Sequence, residues 1–177
     1  MSNTLSIAAA SAVFCDVVRS AIEGVEPGAV VRMGASKAAV AGSGAEVNVH
    51  LYRLDSHSIV RRQEFHQSDL EVVLELHFAV SFGGEKPLVA ERMAGALVGR
   101  VAQTPVLLGE EVRRRIEASG MAEVLRGNDF ADAREPMRVL QEFPTLEDQG
   151  RLWAGYGPGG SLFTLFFVVS PVVIDSV

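Results

Sequence analysis

The sequence predicts an α/β domain of the mixed, α+β kind: a mainly antiparallel sheet of about four or five strands with helices packed on one face. Three observations predict it. Val47 to Leu54 and Val72 to Ser81 alternate apolar and polar residues, the pattern of strands with one buried face. Leu162 to Ile174 is apolar on both faces, as befits a strand that is central or is covered on its second face by another subunit. Ile7 to Ile22 and the stretch from about Glu85 to Gln103 carry apolar residues at helical spacing. The 177 residues fit a single domain spanning 1–177.

The elements follow in order. Ser2, Asn3 and Thr4 offer N-caps for a first helix whose stripe is Ile7, Ala10, Phe14, Val17, Val18 and Ile22, closed by Gly24 and Pro27. Ala29 to Met33 reads as a short strand, and Gly34 to Gly44 as a loop or hairpin tip. Asp55 to Asp69 reads as a long polar loop carrying Arg61 and Arg62. In the strand beyond it, Val72, Leu74, Leu76, Phe78 and Val80 face the core, and Glu71, Glu75, His77 and Ser81 face away. Gly83-Gly84 makes a turn into the second helix, with Val89, Met93, Ala96, Leu97 and Val101 on its buried stripe and Thr104-Pro105 ending it. Glu110 to Ala118 forms a short helix with Arg113, Arg114 and Arg115 exposed, and Met137 to Glu142 a strand. Thr145 caps a last helix whose third position is Asp148, with Leu146, Leu152 and Trp153 on its buried side. Gly155 to Gly160 turns into the last strand. Pro171 cannot donate to a ladder, so a bulge or an edge begins there.

Composition removes several function classes. Net charge is −6 and each half of the chain is net negative, so no broad basic footprint for nucleic acid exists. The one cysteine, Cys15, excludes an intramolecular disulfide and a cysteine-based zinc site, and points to a reducing, cytoplasmic setting. Ser6 to Val13 is small and apolar, but no basic segment precedes it and bulky Phe14 sits before the cysteine, so no leader is expected. No apolar run reaches the ~18 residues of a membrane helix, so no membrane partner is expected.

The chemistry-bearing residues form no catalytic set. His50 and His77 could neighbour each other on the polar sheet face, with Glu75 as the one further ligand; two surface histidines are the plainer reading. Gly157-Pro158-Gly159-Gly160 and Gly42-Ser43-Gly44 lack the Lys-Ser/Thr of a phosphate loop and the dinucleotide spacing. Cys15 belongs to the first helix's apolar surface. No catalytic, cofactor or metal residue is assigned, and no enzyme is expected. Arg113-Arg114-Arg115 is the one dense basic run, set among Glu110, Glu111 and Glu117. It reads as a solvated helix face or as a contact patch for an acidic neighbour.

Several segments, taken in order, resemble a known family: Asn48 to Leu54, Leu74 to Phe78, Thr104 to Leu107, Leu146 to Trp153 and Val172 to Asp175. Their order is similar to that in the N-terminal domain of cap proteins from contractile injection systems of the antifeeding-prophage type. The resemblance spans nearly the whole chain, but is loose over Asp55 to Asp69 and poor over Gly34 to Gly44. It implies a tail-terminator-like fold and a structural protein that caps and terminates the inner tube and contacts the sheath end. It further implies a homo-oligomer, a hexameric ring, built in the cytoplasm into a phage-tail-like particle that can be released. Larger members continue into a second domain, whose function is expected to be absent here. Under this reading Arg61, Arg62, Arg113, Arg114 and Arg115 are candidate interface residues as exposed cations on an acidic protein. Phe166 and Val168 are candidates as part of the two-faced apolar strand. Two other readings stay open: a phage neck or tail-completion protein, and a small hydrolase or metal-binding domain. A stable ring separates the first two from the third.

Overall fold

A computed structural model describes residues 5–34, 44–61, 70–156 and 163–175. Helix α1 (Ser6–Glu23) leads into β1 (Val30–Met33), then β2 (Glu46–Arg61) and β3 (Leu70–Gly83). Helix α2 (Val89–Gln103), the two-residue β4 (Val106–Leu107) and α3 (Gly109–Ala118) follow. A 3-10 turn (Phe130–Asp132), β5 (Met137–Glu142), α4 (Leu146–Tyr156) and β6 (Phe163–Asp175) complete the order. The fold is the mixed, mainly antiparallel class predicted, with six strands in the order β1-β2-β3-β6-β5-β4. The count exceeds the expectation because two-residue β4 is too short to show a period. Among the described strands only β1 and β2 run parallel.

The core lies between the sheet and its helices. Leu76, Phe78, Val80 and Phe82 of β3 point to it with Val47 and Val49 of β2 and Phe167 and Val169 of β6, all essentially without exposure. Phe14 of α1 fits between strands, 4.7 Å from the Phe78 ring and 5.7 Å from Phe167. Contacts with the sheet on one side and with α2 and α3 on the other bury α1 nearly all round, beyond the single stripe expected. Its N-cap position is Leu5; the proposed caps Ser2 to Thr4 lie outside the described residues.

Three expectations need correction, and a fourth is not tested. Asp55 to Asp69 is not all loop: β2 continues to Arg61 and β3 begins at Leu70, in register Arg61↔Leu70. Alternation breaks within this extension because bulges interrupt it, so it reads as polar loop. Most of Gly34 to Gly44 lies outside the described residues. Helix α2 starts at Val89, four residues later than expected, after Leu88 in the left-handed region at φ 63°. Leu146 is not buried but 86% exposed. The cap of α4 is as expected: Asp148 N–H donates to Thr145 Oγ1 at 3.2 Å, and Thr145 Oγ1–H donates to Asp148 Oδ2 at 2.7 Å.

Candidate assembly interface

The sheet face away from the core begins with small and polar pairs. Ser81 and Thr164 share a hydroxyl hydrogen bond of 2.9 Å across β3 and β6. Beside them the rows are Ala79↔Phe166 and His77↔Val168, with Phe166 opposite Glu142 and Val168 opposite Leu140 on β5. A bulge at Tyr52 shifts β2, so that Leu51 meets Phe78 but Arg53 meets His77. The shift gathers a polar cluster over the middle of this face. His77, only 3% exposed, lies with Nδ1 2.9 Å from Glu142 Oε2 and Nε2 3.3 Å from both Arg53 Nη2 and Asp55 Oδ2. A guanidinium only donates, so in the neutral ring Nε2 accepts from Arg53 and Nδ1–H donates to Glu142. Arg53 also pairs with Asp55 at 2.8 Å. Tyr52 O–H donates to Glu142 at 3.2 Å, and its ring meets Phe166 edge-on at 5.8 Å. Burial first, then the Glu142 charge, pushes the Tyr52 phenol well above the usual tyrosine range. The arrangement cross-ties β2, β3 and β5. It holds no exposed nucleophile, and its acid, base and cation are spent on one another.

Two further bulges bend the same region. One sets His57 as an extra residue on β2 between Ser56↔Leu74 and Ser58↔Val73. The other falls between Leu74↔Val172 and Leu76↔Val169, where Ser170-Pro171 adds a residue to β6. Beyond it β5 pairing stops, since Arg138↔Ser170 is its last rung. Sequence reasoning placed this break at Pro171. What continues is a three-stranded arm: Leu54 to Arg61 of β2, Leu70 to Glu75 of β3, and Pro171 to Asp175 of β6. At ~3.3 Å per residue its β2 strand reaches roughly 23 Å. Leu54 is exposed and Val72, Val73, Leu74, Val173 and Ile174 are half-buried, so the arm keeps apolar surface on both sides.

The candidate contact residues are dispersed. Arg61 ends β2 on the arm, and Arg62 lies outside the described residues. Arg113 and Arg114 are exposed on α3, paired with Asp132 and Glu111 at 2.7 Å each. Arg115 departs from expectation. Its side chain is 11% exposed and its Nη1 lies 2.8 Å from buried Asp16 of α1, with Nη2 2.8 Å from Glu111. Helical spacing turns the third arginine of the run inward, where it locks α3 to α1. Phe166 is buried within the subunit beneath Tyr52, so it offers little contact surface; Val168 is half-buried beside Leu140. The α3 arginines and the β6 residues therefore do not form one patch.

The other chemical readings meet the following geometry. His50 pairs with Ala79, one rung along β3 from the position needed to meet His77, and its burial lowers its pKa. Among the described residues no group of three or more His, Cys, Asp or Glu is placed to hold a metal ion. Cys15 is buried, and burial pushes its thiol pKa up, away from the thiolate. No described helix is long and apolar enough to cross a membrane. Tyr52, Arg53, Asp55 and Glu142 were missed by sequence reasoning, since the β2 bulge sets Arg53 opposite His77 and Glu142 comes from β5, two strands away.

No family model matches the chain, and no curated protein matches its sequence. The fold has solved counterparts. One is the sheath/tube terminator of PVC, an extracellular contractile injection system, determined by cryo-EM in the extended state. The match has a TM-score of 0.60 at 12% identity and covers 100% of this chain and 58% of that one. The chain thus spans a little over half the length of the protein it matches, and its mixed six-stranded fold is similar to that of a sheath/tube terminator.

Proposed function

We propose that this chain is a structural protein that caps and terminates the inner tube of a contractile injection system and contacts the end of its sheath. The reading includes a ring of copies, six in number, assembled in the cytoplasm into the particle, with no turnover and no cofactor. The observation that carries it is the likeness of the whole described chain to a solved sheath/tube terminator. The two-faced apolar arm and the self-satisfied His77 cluster are consistent with a protein that works through surfaces. A terminator must satisfy the open contacts of the last tube layer without offering a new copy onward, and a ring closed by heterologous contacts does so.

Deleting the gene tests this directly. Tubes should then lose length control, or particles should lack a closed end, when viewed by electron microscopy. Knockout particles with normal lengths and intact ends would refute the assignment. Purified protein mixed with tube, or with a portal-like neck, separates a cap from a phage neck protein by which of the two it decorates.

A further inference from the structure

The three-stranded arm has two open edges. On one side, β1 is registered against β2 only as far as Met33↔Val49. Among the described residues no strand is registered against that side of β2 from Leu51 to Arg61. On the other side, β5 leaves β6 at Ser170, and no described strand is registered beside β6 from Pro171 to Asp175. A strand with one neighbour directs half of its backbone N–H and C=O groups sideways, toward water or a new strand. Proteins that remain monomeric blunt such edges with proline, charged residues, above all lysine, or bulges, and this β2 edge carries bulges at Tyr52 and His57 but an uninterrupted run from Ser58 to Arg61. Leu51 to Arg61 contains neither proline nor lysine, and the β6 edge has only Pro171, at its start.

The edges are complementary in position, direction and charge. They lie on opposite sides of the arm, so one copy's β2 edge can meet the next copy's β6 edge, the heterologous geometry that closes a ring. Both strands run antiparallel to β3, and so parallel to each other. A neighbour placed by rotation therefore brings β6 alongside β2 in parallel. The register Arg61↔Leu70 and Val60↔Glu71↔Asp175 ends the two edges within one residue of the same level. One edge ends in a cation, Arg61, and the other in a carboxylate, Asp175, whose partner across the sheet, Glu71, is a second carboxylate. The apolar residues of the arm supply packing above and below the joined strands.

We infer that Leu51 to Arg61 of one copy pairs with Pro171 to Asp175 of the next, making the arms of the ring one continuous sheet. This rests on the ring reading above and specifies its contact. The test uses the full chain, with ring population read by mass photometry and by electron microscopy on tube ends. Arg61→Glu alone and Asp175→Arg alone should each lower the ring population by about tenfold or more at low salt, and less at high salt. The double reversal should restore it. Circular dichroism of the monomer should not change, and its melting should move by no more than about 4 °C, since the exchange opposite Glu71 alters one cross-strand pair. As a second measurement, Arg61→Cys with Asp175→Cys in one chain should give, on oxidation, a ladder of covalent multimers up to the full ring. Wild-type rings with silent single reversals and no ladder would overturn the edge pairing while leaving the ring reading standing. Variants that keep the ring but lose tube binding would also overturn it, by assigning the edge to another protein. A wild-type chain that forms no ring, alone or on tubes, would remove the ring reading and this contact with it.

Discussion

Replacing Arg115 with methionine should destabilise the domain by ~2–3 kcal/mol, while the same change at Arg114 should cost less than ~0.5 kcal/mol. The two residues are sequence neighbours of one type, so the contrast isolates environment. Arg115→Met removes the 2.8 Å contact to Asp16, the 2.8 Å contact to Glu111 and a 3.4 Å contact to Ser20 Oγ. Methionine retains most of the apolar stem packing. What remains is the buried Asp16 carboxylate with Arg19, at 3.7 Å, as its one cation among the described residues. Breaking a fully buried pair costs ~3–5 kcal/mol. The residual contact to Arg19 and the slight exposure of Arg115 lower that to ~2–3 kcal/mol. Arg114 is 73% exposed and its pair with Glu111 is screened by water. For a chain of this length each kcal/mol moves Tm by ~2–4 °C, so Arg115→Met should melt roughly 4–12 °C lower. Urea unfolding with a common m-value gives the free energies. A loss below ~1 kcal/mol for Arg115→Met, or equal losses at both positions, would show that Asp16 and Arg115 are not a buried lock.

Three further outcomes are expected. Phe167→Ala should cost ~3–5 kcal/mol in urea unfolding, because its ring is fully buried against Phe14; a loss under ~1 kcal/mol would mean that face is open. Gly109→Ala should destabilise by ~1–3 kcal/mol, since the new Cβ would meet the Ala131 carbonyl oxygen at 2.2 Å, whereas Gly99→Ala, with open space around it, should not. Tyr52 has its folded pKa raised, so its contribution is fully present below the unfolded value of about 10 and is lost as pH rises above it. Stability measured across that window should fall with pH, and Tyr52→Phe should flatten the slope; an unchanged slope would place the phenol in water.

Much of the fold was legible because its strands obey simple periods. Val47 to His50 alternates in sequence as it does in burial, and β6, apolar on both faces, is interior to the sheet between β3 and β5; from Leu76 to Val80 the sequence alternates but both faces are buried, so His77 is not the surface histidine expected. Thr145 and Asp148 announced a helix start through short-range chemistry alone. The candidate interface was far less legible. The bulges at Tyr52 and His57 add single residues that leave no mark in composition, yet the first decides that Arg53, rather than Tyr52, lies opposite His77, and the second breaks the alternation of β2 where it runs into the arm. Arg113, Arg114 and Arg115 look alike as a run. Only the position of Asp16, 99 residues away in the chain, turns one of them from surface to core. Pro171 was the exception, since a missing N–H is visible in sequence, and β6 does lose its β5 neighbour there.

The enclosure of α1 bears on the order in which the domain can be made. Phe14 finds its seat only when Phe78 and Phe167 are both in place. A ribosome synthesising this chain therefore releases an apolar helix long before the strand that completes its pocket. Such distant contacts delay folding until their last partner arrives, and the waiting surface is open to aggregation. The helix must meanwhile be held by partial contacts with β1, β3, α2 and α3 or by a chaperone. Once β6 enters the sheet, the same enclosure makes the amides of α1 among the slowest to exchange with solvent, because exposing them requires the whole domain to open.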